Sequence, residues 1–178
     1  MIRLALIFAC LPFASFADTK ATTKANEDAE KQTIEACLTH ADYPEACIGR
    51  AAEDCRALDL GAANPIQQDG WCDGAETEVW EKRLKDSTAV QLGLLKGSAP
   101  GGFQNQQKDW ERLDQGNFPY DRVARFWPVG YIGLRRHLQL VASRALRVED
   151  TVGLAQECLD ADSSFRVPAF CADVKGAP

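Results

Sequence analysis

The stretch that decides the fold is Cys37–Cys55, CLTHADYPEACIGRAAEDC, in which two cysteines lie on either side of a turn and a third follows eight residues later. Good helix formers lie on both sides of residues 40–43, which have the composition of a turn. Cys37 is therefore expected near the end of one helix and Cys47 near the start of the next, so their sulfurs can meet across the turn. Cys47 and Cys55 lie about 80° apart around one helix and cannot bond to each other.

Helical patterns continue on both sides of this stretch. We expect helices over Glu27–Thr39, Pro44–Leu58, Ala75–Lys96, a short piece around Gln106–Leu113, Tyr131–Val148, and from Asp150 or Thr151 to Leu159. Asp59–Gly74 is expected to be a loop, and no alternating Val/Ile/Thr run is long enough for a sheet. The sequence predicts an all-α, compact bundle of five to six short helices.

Two of the expected helices have a clear apolar face. The third has Trp80, Leu84, Leu94 and Leu95 on one side, and the fifth has a stripe made of Leu134, Leu138, Val141, Ala145 and Val148. These faces are the predicted core. A single domain, 27–178, follows a flexible arm at 18–26.

Residues 1–17 have the layout of a secretory signal peptide. Arg3 gives a positive start, an apolar run extends from Leu4 to Phe16, and Ser15-Phe16-Ala17 supplies small residues at a cleavage site. The run is too short to span a bilayer comfortably, which disfavours an uncleaved anchor. Lipoprotein processing at Cys10 is disfavoured because the apolar run continues past it. We expect cleavage after Ala17 and a periplasmic location.

Cleavage would remove Cys10 and leave six cysteines, an even number that predicts three disulfides in an oxidising compartment. The sequence contains no C-x-x-C pair, so a metal site is disfavoured. Six cysteines allow fifteen pairings. The expected layout of helices favours Cys37–Cys47, Cys55–Cys72 and Cys158–Cys171.

Composition and motifs argue against several functional classes. The chain has 20 Lys and Arg against 26 Asp and Glu, a formal charge of −6 that disfavours nucleic-acid binding as its main task. It contains no nucleophile-elbow, zinc-protease, phosphate-loop or dinucleotide motif. We therefore predict a protein that is not an enzyme, with no catalytic, metal-binding or cofactor-binding residues. Glycan hydrolysis by dispersed carboxylates remains a third hypothesis.

Charge is unevenly distributed along the chain. Residues 18–118 contain 11 basic and 19 acidic side chains, whereas residues 119–148 contain six arginines and a single aspartate. Arginine and aromatic residues mix in the second region, as they do at interface centres and membrane surfaces. The candidate partner-binding residues are Phe118, Tyr120, Arg122, Arg125, Phe126, Trp127, Tyr131, Arg135 and Arg136. The alternative is that this basic region neutralises the acidic helices of its own domain.

The spacing Cys37-x9-Cys47-Ile-Gly-Arg-Ala-Ala-Glu-Asp-Cys55, followed by Cys72-x3-Glu76-x3-Trp80-x3-Leu84, resembles the lysozyme-inhibitor LprI-like family. The resemblance covers residues 30–96, whereas residues 97–178 form a divergent half. It implies a small secreted helical protein that inhibits lysozyme-type muramidases. The partner would then be a lysozyme-like enzyme. The alternative is an accessory subunit docked, through its Arg/aromatic segment, on the periplasmic side of an inner-membrane protein complex.

Overall fold

The structure, a computed structural model, describes residues 18–58, 64–117, 129–160 and 168–175, which form six α-helices and one 3₁₀ turn without any strand. The helices are α1 (Asp18–His40), α2 (Arg50–Arg56), α3 (Pro65–Leu94), α4 (Ala99–Asn117), α5 (Val129–Asp160) and α6 (Pro168–Lys175). The 3₁₀ turn, Pro44–Cys47, lies between α1 and α2. The predicted all-α fold class is confirmed.

The two longest helices, α3 and α5, form the centre of the bundle. A Cβ added to Gly70 would lie 3.6 Å from Leu134 Cδ1, and further along Arg83 bonds Glu149. Leu95, just after α3, packs in one cluster with Cys158 near the end of α5. The two helices therefore run side by side in the same direction.

Two apolar clusters lie at different positions along this helix pair. The larger contains Trp80, Val79 and Ile34 together with Leu138, Val141, Ala142 and Ala145 of α5. The smaller contains Leu95, Ala155 and Val174 with the Cys158–Cys171 disulfide, and Phe103 packs against it. The predicted stripe of α5 faces the core, since Leu138, Val141, Ala145 and Val148 are buried.

Three disulfides connect neighbouring elements, with the pairing expected from the helix layout: Cys37–Cys47, Cys55–Cys72 and Cys158–Cys171. Their Cα–Cα separations of 5.7, 5.6 and 5.3 Å are ordinary for disulfides. Disulfides persist in oxidising environments, so the three bonds are consistent with an extracellular or periplasmic protein.

Several expected helix boundaries are wrong. The backbone is helical from Asp18, so residues 18–26 extend α1 and are not a loose arm. The helix expected over Pro44–Leu58 is divided by Gly49, which has a φ of 89° and precedes α2. A left-handed residue cannot continue a right-handed helix, and glycine adopts this conformation without steric cost.

The long loop expected up to Gly74 is also shorter than predicted. The Asn64 side chain accepts a hydrogen bond of 2.9 Å from the Gln67 backbone N–H, and Pro65 takes the first helical position, so α3 begins ten residues early. The expected break between a fifth and a last helix is absent, because α5 runs unbroken to Asp160. Thr151 does not cap a new helix there; its hydroxyl donates to Val148 O within α5.

The predicted signal peptide, residues 1–17, lies outside the described residues. Among the helices that the structure does describe, none combines the length and the apolar character that crossing a membrane requires.

Candidate functional site

Exposed acidic side chains occur in the turn between α1 and α2 and in α2 itself. We call this region the acidic tip and define it by five exposed side chains: Asp42, Tyr43, Glu45, Glu53 and Asp54. Tyr43 is 75% exposed, the largest exposed fraction among the exposed large apolar side chains that the structure describes. The acidic tip therefore presents an aromatic ring flanked in sequence by two carboxylates.

The first part of the acidic tip is ordered by a disulfide and by short backbone hydrogen bonds. The Cys37–Cys47 bond joins the last turn of α1 to the 3₁₀ turn, with Tyr43 between the two cysteines. Within this loop Ala41 N–H donates to Cys37 O at 2.9 Å, and Ala46 N–H donates to Tyr43 O at 3.0 Å. The disulfide and these hydrogen bonds therefore restrict the conformational freedom of the loop.

The second part of the acidic tip, Glu53 and Asp54, belongs to α2. The start of α2 is hydrogen-bonded to the buried carboxylate of Glu76, in α3. Its Oε1 accepts from Gly49 N–H at 2.7 Å and from Trp80 Nε1–H at 2.9 Å, while its Oε2 accepts from Ala52 N–H at 2.7 Å. Gly49 and Ala52 lie at the start of α2, where backbone N–H groups otherwise lack acceptors. Glu76 thus acts as a cap supplied by another helix.

A second buried carboxylate, Asp73, lies one turn before Glu76. It pairs with Arg56 at the end of α2, and Arg56 also lies 2.9 Å from Asp69. Burial raises the pKa of Asp73 above its ordinary value of 3.8, an effect that Arg56 and Arg135 partly oppose. Together with the Cys55–Cys72 disulfide, these contacts attach both ends of α2 to α3.

The acidic tip is negatively charged and exposed to solvent. Arg50 lies 3.8 Å from Glu53 and 3.9 Å from Asp54, and all three side chains are more than half exposed. Such solvated pairs contribute little energy and separate easily when a partner competes. The acidic tip therefore combines an exposed aromatic ring with exposed acidic side chains on a disulfide-bonded loop.

The structure places only part of the predicted Arg/aromatic site. Residues Phe118, Tyr120, Arg122, Arg125, Phe126 and Trp127 lie outside the described residues, and Tyr131 lies in the first turn of α5. Arg135 and Arg136 are exposed on α5. The structure therefore does not test whether these nine side chains form one surface.

Further along α5, two arginines contact the protein's own helix α4. Arg144 Nε donates to Gln107 Oε1 at 2.9 Å, and its Nη2 lies 3.2 Å from Glu111 Oε1. The guanidinium carbon of Arg147 lies 5.0 Å from the centre of the Trp110 ring. For Arg144 the structure therefore shows the internal pairing that was the alternative to an external docking face.

A groove of about 380 Å³ between α1, α3 and α5 is lined by Arg83, whose guanidinium bonds Glu149 and Glu35. This pairing satisfies the charges within the groove. Within the described ranges, no group of three or more His, Cys, Asp or Glu is arranged to hold a metal ion.

Sequence reasoning missed the importance of Tyr43 and Glu76. Tyr43 lies in the turn expected at residues 40–43, but its exposure is seen only in the folded chain. Glu76 is part of the Cys72-x3-Glu76 spacing, but the backbone groups that donate to it, on Gly49 and Ala52, are 27 and 24 residues earlier in the chain. No local pattern indicates these contacts.

Comparison with known proteins adds no further assignment: no family model, no curated protein and no solved structure matches this chain.

Proposed function

We propose that this chain is a non-catalytic, LprI-like binding protein of the periplasm, exported by residues 1–17, that inhibits lysozyme-type muramidases. The observation that carries the proposal is the acidic tip, in which Tyr43 projects from a disulfide-bonded loop between Asp42 and Glu45. The spacing of the four cysteines around it, which resembles the LprI-like family, supports the same function.

The physical basis is electrostatic steering followed by insertion of a ring. Residues 18–118 carry 19 acidic against 11 basic side chains, so a cationic muramidase is attracted at long range. An aromatic side chain held in place buries a large area at small entropic cost, which is typical of binding hot spots. The association rate should therefore depend on salt, and the dissociation rate on Tyr43.

The test is lysis of a cell-wall suspension by lysozyme with the purified, oxidised protein added. We expect inhibition that weakens as ionic strength rises. Tyr43→Ala should raise the inhibition constant roughly 30-fold, the equivalent of about 2 kcal/mol for a hot-spot ring. No inhibition by the wild-type protein at tens of micromolar would refute the proposal.

A matched control separates the acidic tip from net charge. Asp42→Asn with Glu45→Gln removes two negative charges from the acidic tip, whereas Asp109→Asn with Asp150→Asn removes two exposed charges from α4 and α5. We expect the first pair to weaken inhibition much more than the second. Equal effects would show that overall charge, and not the acidic tip, determines binding.

The second candidate function is an accessory subunit docked on a membrane protein complex. It is favoured by the exposed Arg135 and Arg136, which continue the Arg/aromatic segment into α5. If Trp127 is a hot spot of that interface, Trp127→Ala should weaken co-purification with membrane partners by about 2 kcal/mol. Recovery of the native protein without any membrane partner, after gentle solubilisation, would exclude this function.

A further inference from the structure

Helix α4 is attached to the bundle mainly by polar contacts. Among its side chains from Ala99 to Leu113 none is fully buried, and only Ala99 and Phe103 pack against an apolar cluster. Beyond Phe103 the helix is rich in polar residues and meets α5 through Gln107, Trp110 and Glu111. Elements with little buried apolar surface open at low free-energy cost.

The surface of α5 beneath these contacts is basic. Arg136, Leu140, Arg144 and Arg147 recur at spacings of four, four and three residues and therefore lie along one side of the helix. We call this row the arginine stripe. No acidic residue occurs in α5 between Val129 and Val148, and the stripe is on the side away from the buried Leu138 and Ala145.

The contacts that α4 makes with the arginine stripe are of the kind that an anionic ligand would make. The Glu111 carboxylate lies 3.2 Å from Arg144, whose Nη2 also donates to the Gln107 carbonyl at 3.2 Å. Trp110 covers the Arg147 guanidinium. A phosphate group can pair with an arginine as the Glu111 carboxylate does, and the interfacial layer of a membrane can accommodate an aromatic ring such as Trp110.

At the N-terminal side of α4 the chain has a position suited to act as a hinge. Gly97 has a φ of 59° and lies two residues before α4, and Gly101 and Gly102 follow in the first turns. Rotation at Gly97 meets little steric resistance, because a glycine adopts both signs of φ. The helix can therefore move as a unit while Lys96 stays hydrogen-bonded to Asp173.

From this arrangement we propose that α4 is a displaceable cover on Arg144 and Arg147, and that the arginine stripe, once these two side chains are released, binds an anionic membrane surface. A lipid surface presents closely spaced phosphates that match a row of arginines. It also accepts Trp110 and the exposed Leu113 at the depth of the headgroups. The proposal does not depend on lysozyme inhibition.

The experiment measures binding of the full chain to phosphatidylglycerol vesicles and to phosphatidylcholine vesicles at low salt. Gln107→Ala with Glu111→Gln removes the side-chain contacts of α4 with Arg144, while the arginines and Trp110 remain. We expect this variant to bind phosphatidylglycerol about tenfold more tightly than the wild type, because each exposed arginine near an anionic surface contributes favourably. Neither protein should bind phosphatidylcholine.

Two controls separate the effect of releasing α4 from the effect of the arginines themselves. Asp109→Asn changes net charge by the same amount as Glu111→Gln but touches Arg112, outside the stripe, and should bind as the wild type does. Arg136→Gln with Arg144→Gln and Arg147→Gln also frees α4 but should abolish binding. The proposal is wrong if the variant with Gln107→Ala and Glu111→Gln binds no better than Asp109→Asn, or if the triple variant still binds phosphatidylglycerol.

Discussion

Two buried carboxylates one turn apart on α3 differ in how completely they are paired. Both oxygens of Glu76 accept hydrogen bonds, three in total, from backbone and indole N–H groups. Asp73 accepts from Arg56 through Oδ1, whereas its buried Oδ2 has no hydrogen-bond partner among the described residues. The first residue therefore stabilises the fold beneath the acidic tip, and the second is buried at a cost.

Glu76→Ala should destabilise the protein by about 3 kcal/mol or more, because it leaves three buried donors without an acceptor. The midpoint of urea unfolding measures the change. Glu78→Ala, an exposed glutamate on the same helix, is the matched control and should change stability by less than about 0.5 kcal/mol. Equal decreases in the free energy of unfolding of the two variants would show that the hydrogen bonds of Glu76 do not contribute to stability.

Asp73→Asn should alter how stability depends on pH. Because burial raises the pKa of Asp73, its protonated form is favoured in the folded state more than in the unfolded chain. Its contribution is then fully present below the ordinary pKa of 3.8 and is lost as pH rises through the raised value. The asparagine side chain does not ionise, so the stability of the variant does not fall with pH for this reason. Its amide oxygen still accepts a hydrogen bond from Arg56.

The measurement for Asp73→Asn is urea unfolding of both proteins from about pH 3 to about pH 7. The free energy of unfolding of the wild type, minus that of the variant, should fall as pH rises. A difference that increases with pH would mean that attraction to Arg56 and Arg135 outweighs burial.

At the scale of secondary structure, glycines have opposite roles in the turn and in the long helices. Gly49, two residues after the 3₁₀ turn, adopts a left-handed conformation directly before α2, so that α2 starts where Glu76 can cap it. Gly93 lies inside α3 with nothing within 4 Å of an added Cβ. The first glycine is required by the backbone, and the second only lowers helix stability.

Gly49→Ala should lower the free energy of unfolding by about 1 to 2 kcal/mol, because alanine is strained at a positive φ. Gly93→Ala should raise it by roughly 0.5 to 1 kcal/mol through helix propensity. Thermal unfolding followed by circular dichroism measures both. A stabilising Gly49→Ala would contradict the left-handed backbone on which the second half of the acidic tip depends.

These elements also show what the sequence can and cannot predict. The all-α class, the disulfide pairs and the buried stripe of α5 follow from local periodicity and cysteine spacing. The start of α3 does not, because Gly70 and Gly74 resemble breaks, yet burial of Cys72, Asp73 and Glu76 stabilises this part as helix. The acidity of residues 18–118 is visible in the sequence, whereas the support of the acidic tip by Glu76 comes from tertiary contacts that no local pattern indicates.

At the scale of the whole molecule, the α3–α5 pair joins two regions that are stabilised separately. The larger cluster and two disulfides lie beneath the acidic tip, whereas the smaller cluster and Cys158–Cys171 attach α6. No described residue of α6 belongs to the larger cluster. Loss of order at the α6 end should therefore leave the acidic tip intact.

Cys158→Ala with Cys171→Ala tests this separation. The bond spans 13 residues, and a loop of about that size contributes roughly 3 kcal/mol, so α6 should detach. Hydrogen exchange should then accelerate in α6 and around Leu95, while α1 and α2 keep their protection. Since the acidic tip should be unaffected, the variant should retain whatever lysozyme inhibition the wild-type protein shows in the lysis assay. Equal loss of protection in α1 and α6 would instead show a single cooperative unit, in which the acidic tip depends on a disulfide at the other end of the α3–α5 pair.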